Sequence, residues 1–256
     1  MNLSQPILII SVIYFLSSVN TQAQVLNVEK FRMDADTSNV WAGNLSLGFD
    51  ITKRSKQTLQ LNNESDLVYL SRVHAFMLIN DFTVVKVGES ISNEGYIHFR
   101  TTFYRKKIFA PELFTQYQYS QDWGLSERIL FGGTFRYMVH SSDTFSASVT
   151  SGTMYEYERW APENAANITK KVIKSTSSAN IRGEITPTLT LLLMGYYQAS
   201  FSDFLRPRLI GDLNLQFTIS RYLKFSAGFN IVHDAKPVKG VQSWTYELKN
   251  KLIITL

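Results

Sequence analysis

Cysteine is absent from the chain, which removes disulfide frameworks, thiol nucleophiles and cysteine-ligated metal sites together. Histidine is scarce: the four present are isolated and lack metal-ligand spacing, and no glycine-rich phosphate loop accompanies them. The sequence therefore points to no cofactor and no metal. Nor is there a basic run or basic helix. The charges that sum to +5, with a pI near 9.2, are dispersed along the chain, which argues against a nucleic-acid partner. No helix-period segment of useful length follows residue 23. No apolar run reaches the roughly 18 residues that a membrane-crossing helix requires.

What is present begins with an export signal. Ile7 to Val19 is apolar apart from three serines, and Thr21-Gln22-Ala23 supplies the small residues of a cleavage site. This predicts a signal peptide over residues 1–23, although Met1 to Pro6 lacks the usual positive charge. Residues 24–38 read as a polar periplasmic leader and residues 39–256 as one all-β domain, since no linker divides the 256 residues. A mean hydropathy of −0.09 would class the protein as soluble. Barrel strands escape that test because each alternates and cancels its own signal. The 13 Tyr and 17 Phe are enough to form aromatic girdles.

Strict period-two alternation runs through most of the mature chain. It is cleanest from Trp41 to Thr52, where Trp41, Gly43, Leu45, Leu47, Phe49 and Ile51 share one face. Three strands follow in succession from Gly95 to Tyr137. Their polar sides carry His98, Arg100, Glu112, Gln116, Arg128 and Arg136, long charged groups where an exposed sheet face would carry small ones. Glu156 continues that polar side, as do Lys174, Asn180 and Arg182 on a serine-rich strand between Lys170 and Ile185, the weakest of the set. From Val73 to Val87 both faces are partly apolar, so parity is open there; a bulge or an interior aromatic cluster would account for it. Trp244, Tyr246, Leu248, Leu252, Ile254 and Leu256 alternate to the last residue. A terminal strand needs a partner, which closure onto the first strand would supply. About twelve strands with apolar outer faces would overfill a sandwich core. The expected fold is an antiparallel up-and-down transmembrane β-barrel.

Asn93-Glu94-Gly95-Tyr96-Ile97-His98-Phe99-Arg100, Glu112 to Tyr119, Arg128 to Arg136 and Met154 to Glu158, with Tyr196-Tyr197-Gln198 and Asp234-Ala235-Lys236-Pro237 later on, carry a family resemblance. Over roughly Trp41 to Leu256 the chain resembles the domain-of-unknown-function family of salt-induced outer-membrane proteins. Leu256, where such barrels often end in Phe, and Ala199, where Pro is expected, depart from the pattern. The resemblance implies a Gram-negative outer-membrane barrel and supplies no established activity or catalytic residues.

With the apolar face on lipid, His98, Arg100, Glu112, Gln116, Arg128, Arg136, Glu156 and Arg182 line the interior. There they form either a structural network or the lining of a narrow channel for small solutes or ions. A lipid-modifying hydrolase would require a Ser and a His on the lipid side. His233 has no evident Ser partner, His98 points inward, and His140-Ser141-Ser142 reads as a turn, so no catalytic residue is assigned. Arg159 to Ile168 and Ser200 to Arg208 are the candidate partner-binding loops, with Trp160 and Phe204 as anchors. Expected partners are outer-membrane lipids and, through the C-terminal strand, the barrel-assembly machinery. The chain is expected to be a monomer.

Overall fold

The computed structural model describes residues 39–53, 57–161, 166–220, 223–238 and 241–254. The signal peptide, the leader to residue 38 and Leu256 lie outside them. Twelve strands follow one another: β1 (Val40–Lys53), β2 (Gln57–Leu70), β3 (Ala75–Val87), β4 (Ser90–Thr102), β5 (Phe109–Ser120), β6 (Leu125–Ser141), β7 (Phe145–Trp160), β8 (Ile168–Thr186), β9 (Leu189–Ser200), β10 (Arg208–Thr218), β11 (Leu223–Asp234) and β12 (Trp244–Ile254). Each pairs antiparallel with its sequence neighbour in one up-and-down sheet. Strands of 11 to 19 residues exceed the nine to eleven or so that a tilted strand needs to cross a bilayer.

The sheet curls into a barrel that is polar within and apolar without. Leu45, Leu47, Phe131, Phe135 and Leu248 are exposed on the outside, and charged residues one position out of phase with such neighbours are buried on the inside. Alternation produces this arrangement directly, since neighbouring side chains on a strand point to opposite faces. It suits a sheet with an apolar outer face whose neighbouring strands satisfy one another's backbone groups.

Three expectations are corrected. β3 has no bulge, and its pairings to β2 and β4 are regular. Its inward Met77 and Ile79 look apolar because they join Val68, Leu70 and Tyr96 in an interior cluster, so both faces of the strand read alike. The serine-rich strand taken as weakest is β8, the longest at 19 residues; its small side chains pack inside and against β7 and β9. His140 and Ser141 belong to β6 instead of a turn. Among the described residues no register pair joins β12 to β1. Trp244, Tyr246, Leu248 and Leu252 stand on the outer surface of β12, which pairs with β11.

The connections 121–124, 161–167, 201–207 and 235–243 gather at one end, here the loop end. The connections 71–74, 103–108, 142–144 and 187–188 gather at the other, the turn end. Gly124, at φ 68°, completes the tight turn that enters β6. Register shifts around Leu125 and Glu127 then reverse the local parity. Odd-numbered Leu125 therefore points inward beside even-numbered Arg128 and Leu130.

Candidate functional site: the charged lumen

The loop end holds the larger of two interior charge clusters. Arg208, the first residue of β10, donates from Nε and Nη2 to Asp234 Oδ2 at 3.0 and 2.8 Å. It also donates from Nη1 to Glu156 Oε1 at 3.2 Å and from Nη2 to Glu158 Oε1 at 3.2 Å. Arg128 Nε donates to Glu156 at 2.8 Å and lies 3.3 Å from Glu158, while Lys174 completes the group through an ion pair with Glu156. Three cations thus meet three carboxylates from β6, β7, β8, β10 and β11. Glu156 and Glu158 are almost fully buried, and guanidinium and ammonium groups take the place of the water they lose. Arg208 and Glu156 stand on strands with two others between them, so their bond runs across the lumen as a chord.

An apolar layer caps this cluster. Trp160, 4% exposed, packs with Leu125 and with Val238 from the β11–β12 connection; Trp123, Ile168 and Val241 surround them. The Trp160 indole donates to Glu158 Oε2 at 3.0 Å. Trp160 is accordingly no external anchor, because it shares inward parity with Glu156 and Glu158. Phe204 does lie outside, its ring tilted against Tyr197 with centroids 5.2 Å apart.

The turn-end cluster is smaller and follows the wall. Arg100 Nη1 donates to Glu112 Oε2 at 3.0 Å, and Thr102 Oγ1 donates to Glu112 Oε1 at 2.9 Å. Arg136 Nε stands 3.8 Å from the same carboxylate. Arg136 Nη2 also donates to the Arg105 carbonyl at 2.7 Å, and Arg105 Nε to the Ser71 carbonyl at 2.9 Å. Side chains on β6 and in the 103–108 turn thereby tie two turns together along the rim.

Between the clusters runs a chain of neutral groups. Arg128 Nη1 donates to Gln118 Oε1 at 3.4 Å and Gln116 Nε2 to the same oxygen at 3.2 Å; Gln116 Oε1 then faces His98 Nδ1 at 3.0 Å. His98 stacks on Phe114, centroids 6.0 Å apart. Phe114 fits because Gly132 on β6 is bare: a Cβ there would lie 2.5 Å from the ring. Two residues before His98 on β4, Tyr96 lies within electrostatic reach of Asp81, Asp212, Glu247 and Asp66, which are carried by β3, β10, β12 and β2.

Seven of the eight interior residues expected from sequence fall in these clusters or the chain between them. Arg182 does not: it is more exposed, near the turn end of β8, and pairs at 3.2 Å with Glu184 on its own strand. Register places Leu192 and Ser146 beside it, so no carboxylate of another strand meets it there. Gln118, Glu158, Lys174, Arg208 and Asp234 were not singled out as site residues. Extending the parity would have found them. Glu158 follows Glu156, and Arg208 and Asp234 each extend an inward face by one step beyond the strand ends read from sequence. Arg208 had been assigned to a loop.

The histidine contacts contain no nucleophile pair among the described residues. His98 meets Gln116, His74 Nδ1 accepts from the Tyr104 amide, and His233 stacks on Trp244 at 4.2 Å with Nδ1 3.2 Å from the Ser243 carbonyl. Among the described residues no group of three or more His, Asp or Glu side chains is placed to hold a metal ion.

No family model matches the chain, and no curated protein matches it. Among solved structures, one titled "NanC porin structure in rhombohedral crystal form" aligns with 84% of this chain and 100% of its own length, at 8% identity and a TM-score of 0.47. A likeness at that level carries no argument about activity.

Proposed function

We propose that the chain is a structural β-barrel of the Gram-negative outer membrane whose interior is held narrow by its own charges. The observation that carries this is Arg208, bonded at once to Glu156 and Glu158 on β7 and to Asp234 on β11. A side chain that joins non-adjacent strands across a lumen braces the wall and obstructs the passage. Export by the signal peptide, insertion through the C-terminal strand by the barrel-assembly machinery, contact with outer-membrane lipids and a monomeric state belong to this reading. So does membership of the salt-induced outer-membrane family. Planar-bilayer recording of the refolded protein tests it. Wild type gives no steps, or only very small ones, whereas Arg208→Ala raises conductance; large wild-type steps would refute the bracing role.

A second reading, a narrow channel for small solutes or ions, is favoured by a cavity between the two clusters. Its volume is about 100 Å³. Frequent small wild-type steps that vanish when bulk is added at Thr176 would support this reading over the first. Release of acyl chains from phospholipid by the purified protein, abolished by His233→Ala, would overturn both.

A further inference from the structure

We infer that the lumen cavity is a binding site for a neutral, hydroxyl-rich small solute of monosaccharide size. The inference rests on the barrel reading above and adds a ligand class to it. Five residues lining the cavity each hold a buried polar atom without a hydrogen-bond partner: His98 Nε2, Arg100 Nε, Thr134 Oγ1, Thr150 Oγ1 and Gln198 Oε1. His98 and Thr134 are more than nine-tenths buried, as is Thr150, and Gln198 is 9% exposed. Buried polar atoms are ordinarily satisfied, so five on the residues around one space mark a place where a polar molecule is met.

The character of those atoms follows from the chain that leads to them. An arginine can only donate, so Arg128 fixes the Gln118 oxygen toward itself. Gln116 must then offer its NH₂ to that oxygen, which turns its own oxygen to His98. The imidazole therefore carries its proton on Nδ1, and Nε2 faces the cavity as an acceptor. Gln198 Oε1 is an acceptor as well, while the two threonine hydroxyls can donate or accept.

This set discriminates among ligands. A carboxylate or phosphate oxygen has no proton to give Nε2 or Gln198 and would face two lone pairs. Arg208 and Arg128 are already engaged by Glu156, Glu158 and Asp234, which leaves it Arg100 Nε alone, a donor that a hydroxyl oxygen can meet as well. An ammonium could donate to His98, Gln198 and both threonines but would sit among the arginines that line the same space. A neutral hydroxyl group meets both requirements, donating to the acceptors and exchanging bonds with the threonines. Trp123, Trp160 and Tyr196 also line the cavity and supply apolar faces against which the C–H side of a sugar ring can lie.

The wall tryptophans provide the readout. Refolded full-length barrel in detergent is titrated with myo-inositol, D-glucose, sodium gluconate, glucosamine and cyclohexanol while tryptophan fluorescence is followed. Saturable responses are expected for inositol or glucose, at least tenfold tighter than for gluconate, glucosamine or cyclohexanol. His98→Phe and, separately, Gln198→Leu should each weaken the response about tenfold or more while heat-modifiable migration is retained. No saturable response to either neutral polyol, a preference for gluconate or glucosamine, or binding unchanged in both variants would overturn the inference. Loss of binding sites in an intact, bilayer-inserted barrel leaves the structural reading standing. A chain that never becomes heat-modifiable defeats that reading instead.

Discussion

The two ends of the lumen solve the problem of burying charge differently. At the loop end three cations and three carboxylates balance, and the bonds from Arg208 to Glu156 and Glu158 cross between strands that are not neighbours. At the turn end Arg100 and Arg136 share Glu112 within three consecutive strands, and the second arginine turns to a backbone carbonyl. The first arrangement fixes the cross-section of the barrel; the second fixes the register of its wall and the position of two turns. Burial alone does not separate them, since Glu112 and Glu156 are equally hidden. Topology does. A chord across the lumen stabilises only the closed, curved sheet, whereas a contact between neighbouring strands would survive in a flat one.

Removing the chord should have the largest effect. Arg208→Leu leaves three carboxylates facing two cations, and breaking a buried pair from one side costs about 3–5 kcal/mol. Urea unfolding of the refolded barrel should show a loss of that order. Arg208→Leu combined with Asp234→Leu restores two cations to two carboxylates and should recover more than half of it. A double variant no better than the single one would show that Arg208 acts by shape and not by charge. Arg100→Leu at the turn end should cost less, about 1.5–3 kcal/mol, because Glu112 keeps Thr102 and Arg136. If it cost as much as Arg208→Leu, the distinction between chord and wall would fail. Trp160→Phe removes only the indole donor to Glu158 and keeps the apolar cap. About 1 kcal/mol is expected by the same titration.

Much of the fold was legible because alternation is a local property. β1 and the stretch from β4 to β6 repeat every two residues, and seven expected lumen residues followed from that period alone. Two kinds of feature were hidden. The parity of β3 could not be read because Met77 and Ile79 are apolar on the inside, where the pattern elsewhere places polar groups. The loop-end cluster was hidden because its members sit at strand ends. Arg208 follows Pro207 in a segment rich in turn residues, and its partner Glu156 is 52 positions away. No window of sequence contains that bond; only the order of strands around the barrel brings the two together. Trp160 was misread for a related reason. An aromatic near a rim more often marks the membrane interface, and its buried role depends on Val238, contributed by a distant connection.

Arg182 offers the mildest test, and a control for the rest. It shares the inward parity of Lys174 and Asn180, so period alone groups it with the network. It forms an ion pair with Glu184 on the same strand, with both side chains partly open to solvent at 28% and 36%. Such a pair gains little from Coulomb attraction because water and salt screen it, and fixing two long side chains costs entropy. Arg182→Gln should therefore shift the unfolding free energy by about 0.5 kcal/mol or less. Bilayer conductance should not change. A loss comparable to that of Arg100→Leu would mean that the charge network extends down β8 to the turn end, and that lumen charges must be grouped by parity after all and not by the strands their bonds connect.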